Sequence, residues 1–211
     1  MSEISAAPRT QGDALVPVVG AATDVGRSRP VNEDGYLALA PAFVVVDGMG
    51  GHAAGRAATR AALGALAPLA GTAVTDERVI VEAMLAAGEA VTAIPSHAAH
   101  RPGATVAGAV LAHLPDGLTW ITFNIGDSRV YLMRDGVLTQ MSRDHSQVQA
   151  LIDAGELTAD QARRDPRKNV VTRALGAGLN QEAVPDTFTA PALCGDRLLV
   201  CSDGLSDELD D

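Results

Sequence analysis

The chain has 211 residues, room for one domain with a substantial core or at most two small ones. Its 47% hydrophobic and 20% charged residues are ordinary for a globular protein, and aromatics at 3% leave the core to Val, Leu, Ile and Ala. A net charge of −10 argues against a nucleic-acid binder, which carries a basic face, but not against a site where acids gather cations.

In chain order, residues 1 to about 15 read as a flexible polar tail, without the basic start and apolar centre of a signal peptide. "VPVVGAATDVG" reads as a first strand entering a loop, and "YLALAPAFVVVDG" as two strands broken by Pro41. Ala53 to Leu66 is Ala-rich and reads as a helix stopped near Pro68. Ile80, Met84, Ala87 and Val91 recur at helical spacing and predict a second helix, with Pro95 just beyond it. After the loop "SHAAHRPG" comes a buried strand, "ATVAGAVLAHL". Asp116-Gly117 turns it into "LTWITFNIGDSR", and "RVYLMRDGVLTQM" is a hairpin turning at Asp135-Gly136. Residues 144 to 180 are polar and mixed, with a short helical piece in "HSQVQALIDAG"; "DRLLVCSDG" is the last strand. Strands joined by tight hairpins, with two successive helices laid over them, give an α+β class with antiparallel sheet. No apolar run reaches transmembrane length. Cys194 and Cys201 fit no metal or redox spacing, which points to a reducing compartment, the cytoplasm.

Three strands end alike: "VVVDG" at Asp47, "FNIGDSR" at Asp127 and "LLVCSDG" at Asp203. A fourth acidic stretch, "RPVNEDG", carries Glu33 and Asp34. One Asp-Gly after a strand is most often only a turn. Several carboxylates at strand ends around a cleft are costly unless a cation neutralises them. Hard divalent ions take oxygen ligands, and a glycine beside the acid lets its backbone carbonyl be one of them. Composition and spacing therefore reach as far as a divalent-cation site.

The ordered set "TDVGRSRPVNEDG", "FVVVDGMGGHAAG", "GATVAGAVL", "NIGDSRVYLMRDG", "SRDHSQV", "NVVTRALG" and "LLVCSDGLSD" resembles the PPM-type, or protein phosphatase type 2C, metal-dependent serine/threonine protein phosphatases in their bacterial form. The resemblance spans roughly residues 18 to 208. It implies a four-layer α-β-β-α sandwich of two antiparallel sheets flanked by helices, occupying residues 16–211. It implies hydrolysis of phosphoserine and phosphothreonine in proteins by a water bridging two Mn²⁺ or Mg²⁺ ions, with a third, weaker ion. Asp47 matches the aspartate that bridges the metals, and Gly48 the glycine whose carbonyl binds one of them. Asp203 matches a ligand of the other, Glu33 and Asp34 acids that bind directly or through water, and Asp127 a ligand of the third ion. Arg29 matches an arginine that grips the substrate phosphate and His52 an acid for the leaving group. Residues 145 to 176 align with a mobile flap beside the cleft. Phosphoprotein substrates, bacterial serine/threonine kinases or their targets as partners, and neither nucleic acid nor membrane follow from the same resemblance.

Thr105, in "GAT" where the family has a "GTT"-like stretch, is expected to serve sheet packing. His97, His100, His113 and His145 have no metal spacing and are assigned to the surface or to local hydrogen bonds. The family continues past "SDGL" to an Asp-Asn whose aspartate binds the same metal as Asp203. Asp207, Asp210 and Asp211 follow Asp203 too closely to replace it, so the usual C-terminal strands are expected to be lacking, and either the chain is a fragment or the protein lacks a ligand. An alternative is thus a catalytically impaired phosphatase-fold protein that binds phosphoproteins or metal. An aspartyl-nucleophile phosphohydrolase ranks last, because Met49 stands where its second acid is required.

Overall fold

The structure, a computed structural model, describes residues 15–27, 29–95, 101–178 and 183–209, without the side chain of His52. The larger of two sheets follows the order β1 (Asp34–Leu39), β2 (Ala42–Met49), β3 (Gly103–Leu114), β4 (Gly117–Ile125), β8 (Asp186–Pro191), and the two-residue β7 (Leu175–Gly176) pairs with the start of β3. The smaller sheet has the order β6 (Val137–Gln140), β5 (Arg129–Arg134), β9 (Arg197–Cys201). All named pairings are antiparallel. This is the mixed α+β arrangement of two antiparallel sheets and helices that the motif set implied.

Alternation along β2 explains how the layers are assembled. Ala42, Val44 and Val46 are buried against α1 (His52–Leu66) and α2 (Arg78–Thr92), while Phe43 points to the space between the sheets. Asp47 has the parity of Phe43, and Gly48 that of Val46. β3 is buried on both faces, so its residues are small: Ala107 and Ala109 meet the second sheet, Ala104 and Val106 the helices. A Cβ on Gly108 would collide with the Phe123 ring, which fills that space instead. The stripe Ile80, Met84, Ala87, Val91 is fully buried on α2, as its spacing predicts. Helix α1 ends at Leu66 and a 3₁₀ turn carries Pro68. The Asp135-Gly136 turn has both residues at positive φ, 52° and 78°, the geometry that lets two twisted strands close in two residues.

Two local expectations fail. "VPVVGAATDVG" forms no strand; Val16 and Val18 are 79% and 86% exposed. An apolar run becomes a strand only where a neighbour takes its backbone bonds, and β1 pairs on its described side with β2 alone. Conversely β8, "DTFTAP", is a strand that its mixed polar composition concealed; it lies at the sheet edge, where burial does not impose a hydrophobic pattern. On the outer face of the smaller sheet Met133, Leu138 and Leu199 are exposed. Among the described residues no helix is long and apolar enough to cross a membrane.

Candidate metal and phosphate site

Four of the acidic residues singled out by sequence, Asp34, Asp47, Asp127 and Asp203, converge where the two sheets face each other, while Glu33 lies against Gly55 of α1. Asp34 opens β1 directly opposite Asp47 on β2, so the ladder register sets their carboxylates side by side. Asp203 arrives from the other sheet, as the first residue of α5 (Asp203–Ser206) just after β9. Asp127 sits in the turn joining β4 of the larger sheet to β5 of the smaller. The preceding Ser202 donates its hydroxyl proton to Asp34 Oδ2 at 2.8 Å, stitching the two sheets together at the site.

Crowding has an electrostatic cost. Burial, then the charges of Asp34 and Asp203, push Asp47 from 3.8 up to about 9. Burial, then the Asp203 charge, push Asp127 up to about 7. Asp203 is raised by burial, then by Asp207 and Asp34, while a hydrogen bond from Asp47 and the Arg29 charge act the other way. Among the described residues no three acidic, histidine or cysteine side chains form a ready-made cage. The carboxylates meet instead as neighbours, Asp47 in hydrogen-bond contact with both Asp34 and Asp203. An oxygen-only, anionic donor set of this sort fits a hard divalent ion, which binds through one or two carboxylates and keeps several waters.

Gly48 proves to have a packing reason as well. A Cβ there would collide with the Gly55 carbonyl and Thr59 Oγ1 on α1, and a Cβ on Gly55 would collide with Glu33 Oε1. The first turns of α1 therefore lie directly on the end of β2, with the Glu33 carboxylate set against Gly55. Thr59 Oγ1 donates to the Glu33 carbonyl at 2.6 Å. Arg29 is exposed and close enough to Asp203 to affect its charge. His52 is the first residue of α1, but its side chain lies outside those described. The loop with His97 and His100 also lies outside the described residues.

Three contributors were not recognised in the sequence. Thr105, directly opposite Asp47 on β3, does more than pack: its hydroxyl meets Ser128 Oγ at 2.7 Å, beside Asp127. Of the two places expected for His145, the surface or local hydrogen bonds, the structure shows the second: it is 7% exposed, the Gly126 N–H donates to its Nδ1 at 3.0 Å, and its Nε2 lies 3.1 Å from Asp186. Ser202 is the third. Ser202 adjoins Asp203 in the chain, but Thr105 and His145 adjoin none of the motif aspartates, and a hydroxyl or imidazole carries no periodic signature. The expected flap segment bears α3 (Gln147–Asp153), capped by Ser146, and α4 (Ala159–Ala162), with a capping box at Thr158. Its Lys168 bonds Asp207 at 2.9 Å, next to the acidic cluster.

Two antiparallel sheets with carboxylates gathered at their shared end define an α+β sandwich with an acidic rim. The chain belongs to the protein phosphatase 2C family, whose pattern matches residues 31–211. It is 37% identical over 203 residues to the serine/threonine protein phosphatase PstP of Mycobacterium tuberculosis, covering 93% of this chain but only 38% of that protein. The chain thus spans well under half of that relative. The serine/threonine phosphatase Stp of Listeria monocytogenes is 35% identical over 205 residues, covering 87% of this chain and 76% of the relative. A crystal structure of the catalytic domain of PstP in complex with 2 manganese ions superposes with a TM-score of 0.76 at 36% identity, covering 88% of this chain and 77% of the other.

Proposed function

We propose that this protein hydrolyses phosphoserine and phosphothreonine in other proteins, with two Mn²⁺ or Mg²⁺ ions at the carboxylate cluster and a third, weaker one on the Asp127 side. The observation that carries the reading is the meeting of Asp34, Asp47 and Asp203 from two different sheets, in a chain whose relatives are named serine/threonine phosphatases. Asp47, Asp203, Asp34, Glu33 and the Gly48 carbonyl would hold the pair, and Asp127 the third ion. When bound, such ions supply a nucleophile at neutral pH and neutralise charge on the phosphoryl oxygens.

The chain's own groups do the rest. Exposed Arg29 offers a planar fork that matches two phosphoryl oxygens. His52, at the head of α1, would protonate the departing serine oxygen, which leaves poorly as an alkoxide. The segment bearing α3 and α4 would select among phosphoproteins. We place those substrates among the products of bacterial serine/threonine kinases, in the cytoplasm.

The test is hydrolysis of phosphoserine and phosphothreonine peptides by the full-length protein. Turnover is expected with Mn²⁺ or Mg²⁺ and none in EDTA, and Asp47→Asn should lower it by several orders of magnitude. Undiminished turnover in EDTA would overturn the proposal.

A further inference from the structure

We propose that His145, braced by Asp186 and Arg173, is a positioning residue that sets the Asp127 carboxylate for its cation. The inference rests on the assignment of Asp127 to the cation site and adds to it a residue with no ligand role of its own.

The hydrogen bonds show how the setting works. Gly126, immediately before Asp127, has φ +102°, and a Cβ there would collide with Thr105, so the backbone makes a bend that other residues adopt only with strain. That bend is held twice by one residue. The Gly126 N–H donates to His145 Nδ1 at 3.0 Å, and the His145 N–H donates to the Gly126 carbonyl at 2.8 Å. Asn124 Nδ2 adds a bond to the same carbonyl at 3.3 Å. On the far side of Asp127, Ser128 Oγ is held by Thr105 at 2.7 Å. Asp127 is therefore clamped through both of its chain neighbours.

The imidazole is itself fixed. Since Nδ1 accepts an N–H, the ring proton sits on Nε2, which lies 3.1 Å from Asp186 Oδ2 and 2.8 Å from Arg173 Nη1; a guanidinium only donates, so the Nε2 proton goes to Asp186 and the arginine is a close charged neighbour of the ring. Arg173 Nη1 lies 2.7 Å from Asp186 Oδ1, and its Nη2 donates to the Val184 carbonyl. Asp186 stands opposite Asn124 in the β4–β8 ladder, which places the brace beside the end of β4 from which the Asp127 turn departs. The His145 carbonyl accepts from the Thr172 N–H at 2.7 Å, so Arg173 is held in reach by the next peptide. This is the arrangement in which an outer residue fixes the direction of a ligand without touching the metal, and its loss lowers affinity on the order of ten- to hundredfold.

Mn²⁺ calorimetry on the full-length protein tests the proposal without using activity. His145→Gln removes the acceptor for Gly126 and should weaken the Asp127-dependent binding on the order of tenfold or more. His145→Asn keeps an acceptor at the Nδ1 position and should restore most of it. Asp127→Asn should abolish that binding, and adding His145→Gln to it should cost nothing more, since the two act through one carboxylate. An equal loss from His145→Gln in the presence and absence of Asp127 overturns the proposal, as does unchanged binding in His145→Gln or in Asp127→Asn. Should His145→Gln fail to fold, ring ¹⁵N NMR of the unaltered protein decides. A proton on Nε2 supports the proposal and a proton on Nδ1 overturns it.

Discussion

Asp47→Asn separates the stability of the fold from the binding of cations, because the two make opposite demands on this side chain. Without a cation, Asp47 is pushed up to about 9 by burial and by Asp34 and Asp203, against 3.8 for a solvated aspartate. A folded-state value above the unfolded one means that the folded chain holds the extra proton. Its contribution to stability is complete below about pH 4 and is lost progressively as pH rises towards about 9. The rate is about 1.4 kcal/mol per pH unit before discount. Water reaching the half-buried carboxylate and relaxation of its neighbours reduce the total at pH 8 to about 2 kcal/mol. Asparagine resembles the protonated acid and can donate to Asp34 or Asp203. In EDTA at pH 8 the variant should therefore melt about 4–8 °C higher than the parent, and the gap should shrink as pH falls towards 4. With Mn²⁺ at about a hundred times its dissociation constant the parent gains about 2.7 kcal/mol, and the variant gains almost nothing. Differential scanning calorimetry at pH 5 and 8, with EDTA and with Mn²⁺, reads all of these. A variant no more stable than the parent in EDTA at pH 8 would refute the electrostatic reasoning.

Arg29→Ala should raise KM for phosphopeptides on the order of tenfold or more while leaving Mn²⁺ affinity unchanged, because charge-assisted bonds of about 1.5–3 kcal/mol to substrate are lost and no ligand is. Steady-state kinetics beside Mn²⁺ calorimetry check this; a collapse of metal affinity at constant KM contradicts it. Gly55→Ala should destabilise by about 1–3 kcal/mol, since its Cβ would meet Glu33 Oε1 and the Gly48 carbonyl. Urea unfolding measures it, and a change within about 0.5 kcal/mol would show that α1 can move off the end of β2.

Local order was plain in the residues themselves. The spacing of Ile80, Met84, Ala87 and Val91 needs no tertiary partner to declare a helix, and the run Phe43 to Val46 declares a strand, which continues through Asp47 and Gly48 to Met49. Hairpins at Asp116-Gly117 and Asp135-Gly136 are local for the same reason. A single Asp-Gly at a strand end is most often a turn, so the cation reading came from the recurrence of the pattern at Asp47, Asp127 and Asp203 and not from any one of them.

What the tertiary structure alone decided is which of these groups meet. Val16 to Val19 have strand composition and no strand, while Asp186 to Pro191 have little strand signal and pair with β4, because a strand exists only where another backbone completes its hydrogen bonds. Gly48 looked like an opening for a cation, and its packing against Gly55 could appear only once α1 lay on β2. Asp34 and Asp203 are far apart in the chain, yet Ser202 bonds Asp34 across the sheets. His145 carried no periodic or spacing signal, and its position under Gly126 depends on β8, β4 and the turn after β4 arriving together. Periodicity reports the face on which a residue lies along its own element. Convergence of charges depends on the long-range register between elements, which no local pattern encodes.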